Sequence, residues 1–169
     1  MEDRPTVAVA ESCTGGLLAS ELAATPGSGD WFVGGVVAYD SSAKYRLLGV
    51  PEGPVISAGA AAAMAGGVRA LMGAEIGIST TGVAGPDSEE GLPVGLVFIG
   101  VSHPGGTHTV ELDIDGDPDQ VKAAAVERAL EELALVGRKL VTIDPPAPSR
   151  GWIDQPSGIS PCDRSRNEH

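Results

Sequence analysis

The segment Thr6-Val7-Ala8-Val9-Ala10-Glu11-Ser12-Cys13-Thr14-Gly15-Gly16-Leu17-Leu18-Ala19 constrains the fold more than any other stretch of this chain. Residues 6–10 form a short apolar run with valines at alternate positions, which predicts a strand in a sheet core. The run stops at a cluster of small polar side chains, and a helical pattern begins at Leu17. Gly15 and Gly16 do not serve helix propensity, since each costs up to about 1 kcal/mol inside a helix. They suit a sharp turn, or a ligand approaching the backbone closely. Ser12, at the strand end, is placed either as a nucleophile or, like Thr14, as a helix N-cap. The first N–H groups of such a helix also suit an anion or a developing oxyanion.

Helical and strand-like runs alternate from there to residue 141. Leu17–Ala24 reads as a helix ended by Pro26-Gly27, residues 31–39 as a strand interrupted by Gly34-Gly35, and residues 42–48 as a helix closed by Gly49. Ser57 caps an alanine-rich helix running to Met72, and residues 76–80 form another strand. Residues 94–102 and 107–114 flank Pro104-Gly105-Gly106 and predict an antiparallel hairpin. Asp117-Pro118 opens a long amphipathic helix. Val121, Ala124, Ala125, Leu130, Leu133 and Ala134 face inward, and Lys122, Glu127, Arg128, Glu131 and Glu132 face water. The pattern predicts a three-layer α/β/α domain with a partly mixed sheet over residues 4–141. Prolines crowd the chain after Asp144, so residues 142–169 read as a flexible proline-rich tail. Gly66-Gly67 inside a helix calls for close packing as compensation. The small-residue stretch around it predicts close approach to the domain's own sheet or to a second subunit, and a homo-oligomer is expected.

At 169 residues the chain holds one domain with a real core. Eleven basic against 23 acidic residues, a formal charge of −12, argue against a nucleic-acid partner, because neutralising phosphates takes a basic surface. No apolar run reaches membrane-spanning length and the N-terminus lacks a signal-peptide layout, so a cytoplasmic protein is expected. Cys13 and Cys162 have neither metal-ligand nor evident disulfide spacing. No metal and no cofactor are expected. His103 and His108 flank the hairpin turn and suggest no Ser-His-Asp triad.

Three loops gather at strand ends in such a fold, where α/β sheets place their sites. They are residues 11–16, residues 38–44 with Tyr39 and Lys44, and residues 79–87 with Thr81, Gly82 and Gly85. Together they hold a serine, a candidate base in Lys44, a phenol and glycine-flanked N–H groups: the inventory of a hydrolase. Cys13 is the competing nucleophile, with Glu11 and Lys44 assisting, but adjacent strand residues point to opposite faces, so one of Ser12 and Cys13 faces the site.

These loops, with Pro26-Gly27-Ser28, Gly34-Gly35-Val36-Val37-Ala38-Tyr39, Leu47-Leu48-Gly49-Val50, Thr81-Gly82-Val83-Ala84-Gly85-Pro86 and Pro93-Val94-Gly95, closely resemble the CinA-type nicotinamide-nucleotide amidase family over residues 5–140. The resemblance implies hydrolysis of the carboxamide of nicotinamide mononucleotide to nicotinate mononucleotide and ammonia. It implies Ser12 as nucleophile, Lys44 as base and Tyr39 as an orienting or relaying group. Glu11, Thr14, Gly15, Gly16, Thr81, Gly82 and Gly85 would bind substrate, with N–H groups of residues 14–16 on the oxyanion or the phosphate. The chain departs from the family at Asp40-Ser41-Ser42, Ala58-Gly59, Leu92 and Pro118, where an arginine suited to an anionic substrate is absent. The reading from another class is a non-catalytic nucleotide- or partner-binding module of the same fold.

Overall fold

The computed structural model describes residues 4–141, and the expected tail lies outside them. Strand β1 (Val7–Glu11) leads through a turn to α1 (Leu17–Ala24), a short 3-10 turn at Ser28–Asp30 and β2 (Phe32–Val37). Then come α2 (Ser41–Leu48), α3 (Ala58–Met72), β3 (Ile76–Gly82), the hairpin β4 (Leu96–His103) and β5 (Gly106–Asp113), and α4 (Pro118–Val141). The five strands form one sheet in the order β2-β1-β3-β4-β5. β1 pairs parallel with β2 and β3, while β3–β4 and β4–β5 are antiparallel. The mixed α/β sheet is as the sequence predicts. Among the described residues, no helix is long and apolar enough to cross a membrane.

The connection β1–α1–β2 runs to one side of β1, and β2–α2–α3–β3 runs back past it to the other. Parallel crossovers share one hand, so the two connections put their helices on opposite faces. Side chains on β1 divide accordingly. Val7 and Val9 pack with Leu18 and Leu22 of α1 and Val126 and Ala129 of α4, whereas Ala8 and Ala10 pack with Leu48 of α2 and Ala61, Met64 and Val68 of α3. The carboxyl ends of β1, β2 and β3 share one edge, with β1 where the strand order reverses, the switch point at which such sheets open a crevice.

The close approach expected of the alanine-rich helix is met by its own sheet. A Cβ on Gly77 of β3 would collide with the Ala65 carbonyl oxygen, and one on Gly100 of β4 with that of Ala61. The small side chains of α3 are thus explained without a second subunit. Of the adjacent pair Gly66-Gly67 within the helix, Gly67 has this reason, since a Cβ there would collide with the Leu48 carbonyl oxygen, while one on Gly66 would meet nothing within 4 Å.

Two expectations need correction. β1 extends to Glu11 and β3 to Gly82, so Glu11, Thr81 and Gly82 belong to strands and not to loops; pairing of Thr81 with Phe98 and Gly82 with Val97 carries β3 onward. The buried stripe of α4 is Val121, Ala125, Val126, Ala129, Glu132 and Val136. Glu132, expected in water, is buried because His108 Nε2 lies 3.1 Å from one oxygen and Arg128 donates to the other at 2.6 Å. Leu130 and Leu133 are half-buried against the edge of the core, Ala134 is exposed, and all three line an open groove beside Val7 and Ile76.

Candidate active site at the carboxyl edge of the sheet

Ser12 follows β1 directly, and its N–H donates to the Thr80 carbonyl at 3.0 Å, which extends the β1–β3 ladder by one residue. Continued alternation gives Ser12 the phase of Ala8 and Ala10, toward the α2 side, and Cys13 the opposite phase. Cys13 indeed packs on Val97 of β4 and Val121 and Ala125 of α4. Burial pushes its thiol up to about 12, against the lowering effects of its own backbone N–H and of Lys44, and Glu11 adds to the rise. The turn therefore does not create the low-pKa thiolate that a helix N-terminus would favour. Ser12 is 8 % exposed, and among the described residues its hydroxyl has no hydrogen-bond partner.

Lys44 sits in the first turn of α2, which Asp40 begins: its carboxylate accepts from the Ser42 N–H at 2.8 Å and from the Ser42 hydroxyl at 2.5 Å. These bonds hold the Asp40 carboxyl below its ordinary range. Asp40-Ser41-Ser42 thus supplies a helix cap. The Lys44 side chain is 2 % exposed, and its Nζ donates to the Tyr39 carbonyl oxygen at 2.9 Å. Ala38, just before, donates its N–H to the Glu11 carbonyl at 2.8 Å. The backbone that receives the lysine is therefore pinned beside the end of β1. Burial lowers the Lys44 pKa, and the negative charges of Glu89 and Asp40 oppose the shift without cancelling it.

The remaining expected site residues divide sharply. Tyr39 contributes its carbonyl to Lys44, while its side chain is 74 % exposed and the phenol makes no hydrogen bond among the described residues. Glu11 is fully buried, and its carboxylate accepts from the Thr14 hydroxyl at 2.6 Å and from the N–H groups of Gly16, Leu18 and Ala19 at 3.1, 3.0 and 2.8 Å. It offers a substrate nothing. The Thr14 hydroxyl spends its proton on Glu11, so Thr80 Oγ1, 2.7 Å away, donates to Thr14. Thr81 is buried and donates to the Val55 carbonyl at 2.8 Å. The Val55 and Ile56 N–H groups in turn donate to the Glu90 carboxylate at 2.9 and 3.1 Å. Gly82 and Gly85 answer to packing: a Cβ would meet the Leu96 carbonyl oxygen at 2.5 Å and Val94 Cγ1 at 2.8 Å respectively. Gly15 and Gly16 turn the chain with φ of +62° and +105°.

The N–H groups expected to receive an anion are also redistributed. Gly15 donates to the Ser12 carbonyl at 3.1 Å and Leu17 to that of Thr14 at 3.1 Å, and Gly16, Leu18 and Ala19 are held by Glu11. Among the described residues, the N–H groups of Cys13 and Thr14, adjacent to Ser12, have no such partner, that of Cys13 meeting only its own thiol. The structure thus brings together Ser12, the two N–H groups after it, and the pinned end of β2 that receives Lys44. It leaves Glu11, Thr81, Gly82 and Gly85 as framework. Sequence patterns do not reveal Glu11 as a cap, because they look within three residues of a helix start, and this carboxylate reaches residues 16–19 only across the turn.

The family model for the CinA C-terminal domain matches residues 1–136. A CinA-like protein of Frankia casuarinae is 47% identical over 131 residues, which cover 75% of this chain and 30% of that protein; the chain spans about a third of the length of the curated relatives it matches. Among solved structures, a competence-damaged protein (CinA) superfamily protein from Escherichia coli superposes with a TM-score of 0.76 at 34% identity, covering 79% of this chain and 81% of that one. A competence/damage-inducible protein from Agrobacterium tumefaciens gives 0.74 at 33% identity, covering 78% and 85%. With its mixed five-stranded sheet and its Ser12 turn, the chain belongs to the CinA C-terminal domain family.

Proposed function

We propose that this domain hydrolyses the carboxamide of nicotinamide mononucleotide, with Ser12 as nucleophile and Lys44 as general base. The observation that carries the reading is the separation of the two adjacent nucleophiles. Cys13 is committed to an apolar contact with α4 with its thiol raised to about 12, while Ser12 keeps an unbonded hydroxyl in the phase of α2, where a buried lysine has its pKa lowered. An unassisted serine is a weak nucleophile, and a lysine serves as base only when its environment favours the neutral amine.

In this reading Ser12 Oγ attacks the carboxamide carbon as its proton passes to Lys44 Nζ. The N–H groups of Cys13 and Thr14 receive the oxyanion, an arrangement worth about 3–4 kcal/mol per donor where one has been removed from other hydrolases. The C–N bond then breaks, and the leaving nitrogen takes the proton from Lys44 and departs as ammonia. Water, deprotonated by Lys44, attacks the Ser12 ester to give nicotinate mononucleotide and the free hydroxyl. Chelating agents leave this chemistry intact, since the chain supplies every group it uses. The test is ammonia release from nicotinamide mononucleotide, expected for the wild-type chain and lost in Ser12→Ala. Absence of release from the wild type, together with a rise in melting temperature on adding the nucleotide, would favour the binding module, because a ligand that binds the native state alone stabilises it without turnover.

A further inference from the structure

The buried carboxylate of Glu11 stands next to the nucleophile in sequence and touches none of the reacting atoms in the scheme above. A carboxylate taken fully out of water costs several kcal/mol unless charge-assisted hydrogen bonds compensate it. Here they do: the Thr14 hydroxyl and the N–H groups of Gly16, Leu18 and Ala19 converge on its two oxygens. Three of these donors are main-chain groups at the start of α1, so the positive end of that helix is neutralised from within the chain. The fourth donor, Thr14, is itself held by Thr80 on β3 at 2.7 Å. The carboxylate thereby ties together β1, which bears it, the turn, the first turn of α1 and, through two hydroxyls, β3.

We propose that Glu11 is a positioning residue of the hydrolytic centre. By taking up the N–H groups of α1 and the Thr14 hydroxyl, it fixes the turn in the one arrangement that leaves the N–H groups of Cys13 and Thr14 unpaired beside Ser12. The inference rests on the reading of Ser12 as nucleophile. Its consequence is that an anionic oxygen is received by the turn itself and not by the helix N-terminus, whose donors are occupied.

Glu11→Gln keeps the shape but replaces one acceptor oxygen by a donor that faces N–H or O–H groups already donating, so the turn must rearrange. Three readouts on the full chain separate the outcomes: thermal melting, kcat and KM for ammonia release, and the rate at which a fluorophosphonate, whose phosphoryl oxygen also needs the oxyanion donors, labels Ser12. The expected result is a Glu11→Gln protein that melts cooperatively and, well below its melting temperature, shows kcat reduced at least 30-fold, about 2 kcal/mol of barrier, KM within threefold of wild type, and slower labelling in proportion. A purely structural carboxylate would lower the melting temperature and leave kcat and labelling within threefold, which would overturn the proposal. Should Glu11→Gln fail to fold, Thr14→Val removes only the hydroxyl link and is expected to lower kcat about 10-fold; wild-type kcat and labelling in that variant would equally overturn it. A wild-type chain that releases no ammonia but labels at Ser12 would defeat the amidase reading alone, and the labelling rates would still decide the role of Glu11. No labelling of Ser12 in the wild type would overturn both.

Discussion

Two regions at opposite ends of β1 differ in almost every respect. The β1–α1 turn is tightly closed: a buried carboxylate, two threonine hydroxyls and five N–H groups are matched to one another, with two N–H groups left over beside a serine. At the other end of the same strand, near Val7, a groove of about 700 Å³ opens among Trp31, Ile76, Leu130, Leu133 and Gly137. A second groove, about 600 Å³, lies between Leu17 of α1 and Val126 and Leu130 of α4. The walls of these two grooves are mostly apolar, with Arg4 and Arg138 on the first and Glu21, Glu127 and Glu131 on the second, and they hold no nucleophile with a base. The first of these grooves lies at the end of β1 opposite the proposed site. Chemistry instead follows the carboxyl edge of the parallel strands, where backbone groups run out of ladder partners and side chains can be aimed at a reacting atom.

The sharpest way to break this comparison is to disarm the turn while leaving its packing intact. Lys44→Met keeps the length and apolar contacts of the side chain and removes the base, so ammonia release is expected to fall by about 10³-fold, within the range for loss of a general base. Stability moves differently. Burial holds the Lys44 pKa in the folded chain below its ordinary value, so between the folded and unfolded pKa values the unfolded chain binds more protons and wild-type stability rises with pH. Below the folded pKa the burial penalty is present in full. Lys44→Met is therefore expected to melt no lower than wild type at pH 7, with its advantage shrinking as the pH is raised toward about 10.4, the ordinary lysine value. A Met variant that loses activity and also melts far below wild type at pH 7 would mean that Lys44 is structural. The wild-type rate should rise with pH along a limb centred below the ordinary lysine pKa, and a limb at or above that value would contradict the buried base.

The groove provides the smaller, complementary effect. Leu133 is half-buried there, and Leu133→Ser should cost about 1 kcal/mol of stability, measured by denaturant titration, because a smaller polar side chain replaces an apolar one. Ammonia release should stay within twofold of wild type. A loss of activity comparable to that of Lys44→Met would show that the two ends of the sheet are coupled and would erase the distinction drawn above.

How much of these regions is legible in the sequence follows the range of the interactions concerned. The alternation of Val7 and Val9 with Ala8 and Ala10 is local, and it is enough to predict the strand, the turn and the opposed directions of Ser12 and Cys13. Ser57 and Gly49 are legible as helix ends for the same reason: a cap is a contact across three residues, here the Ser57 hydroxyl accepting from the Ala60 N–H. Glu11, a substrate contact only as the family resemblance implies, is not legible as a cap because its main-chain partners are five to eight residues away, reachable only once the turn has folded. Glu132 reads as solvated because the helical pattern cannot know that His108 arrives from a hairpin. Gly66 and Gly67 look identical in sequence, and only the position of the Leu48 carbonyl separates a required glycine from one that packing does not demand. Protonation states are the hardest of all. A helix N-terminus suggests a reactive Cys13, whereas burial against α4 decides the thiol in the opposite sense.

The account stands on Ser12 forming the bond to the substrate. The most direct measurement mixes the protein with nicotinamide mononucleotide, quenches in acid within the first turnover, and maps the acylated peptide by mass spectrometry. An ester on Ser12, appearing with one equivalent of ammonia and absent from Ser12→Ala, is the predicted result. Acylation of Cys13, or ammonia released at the wild-type rate by Ser12→Ala, would contradict it.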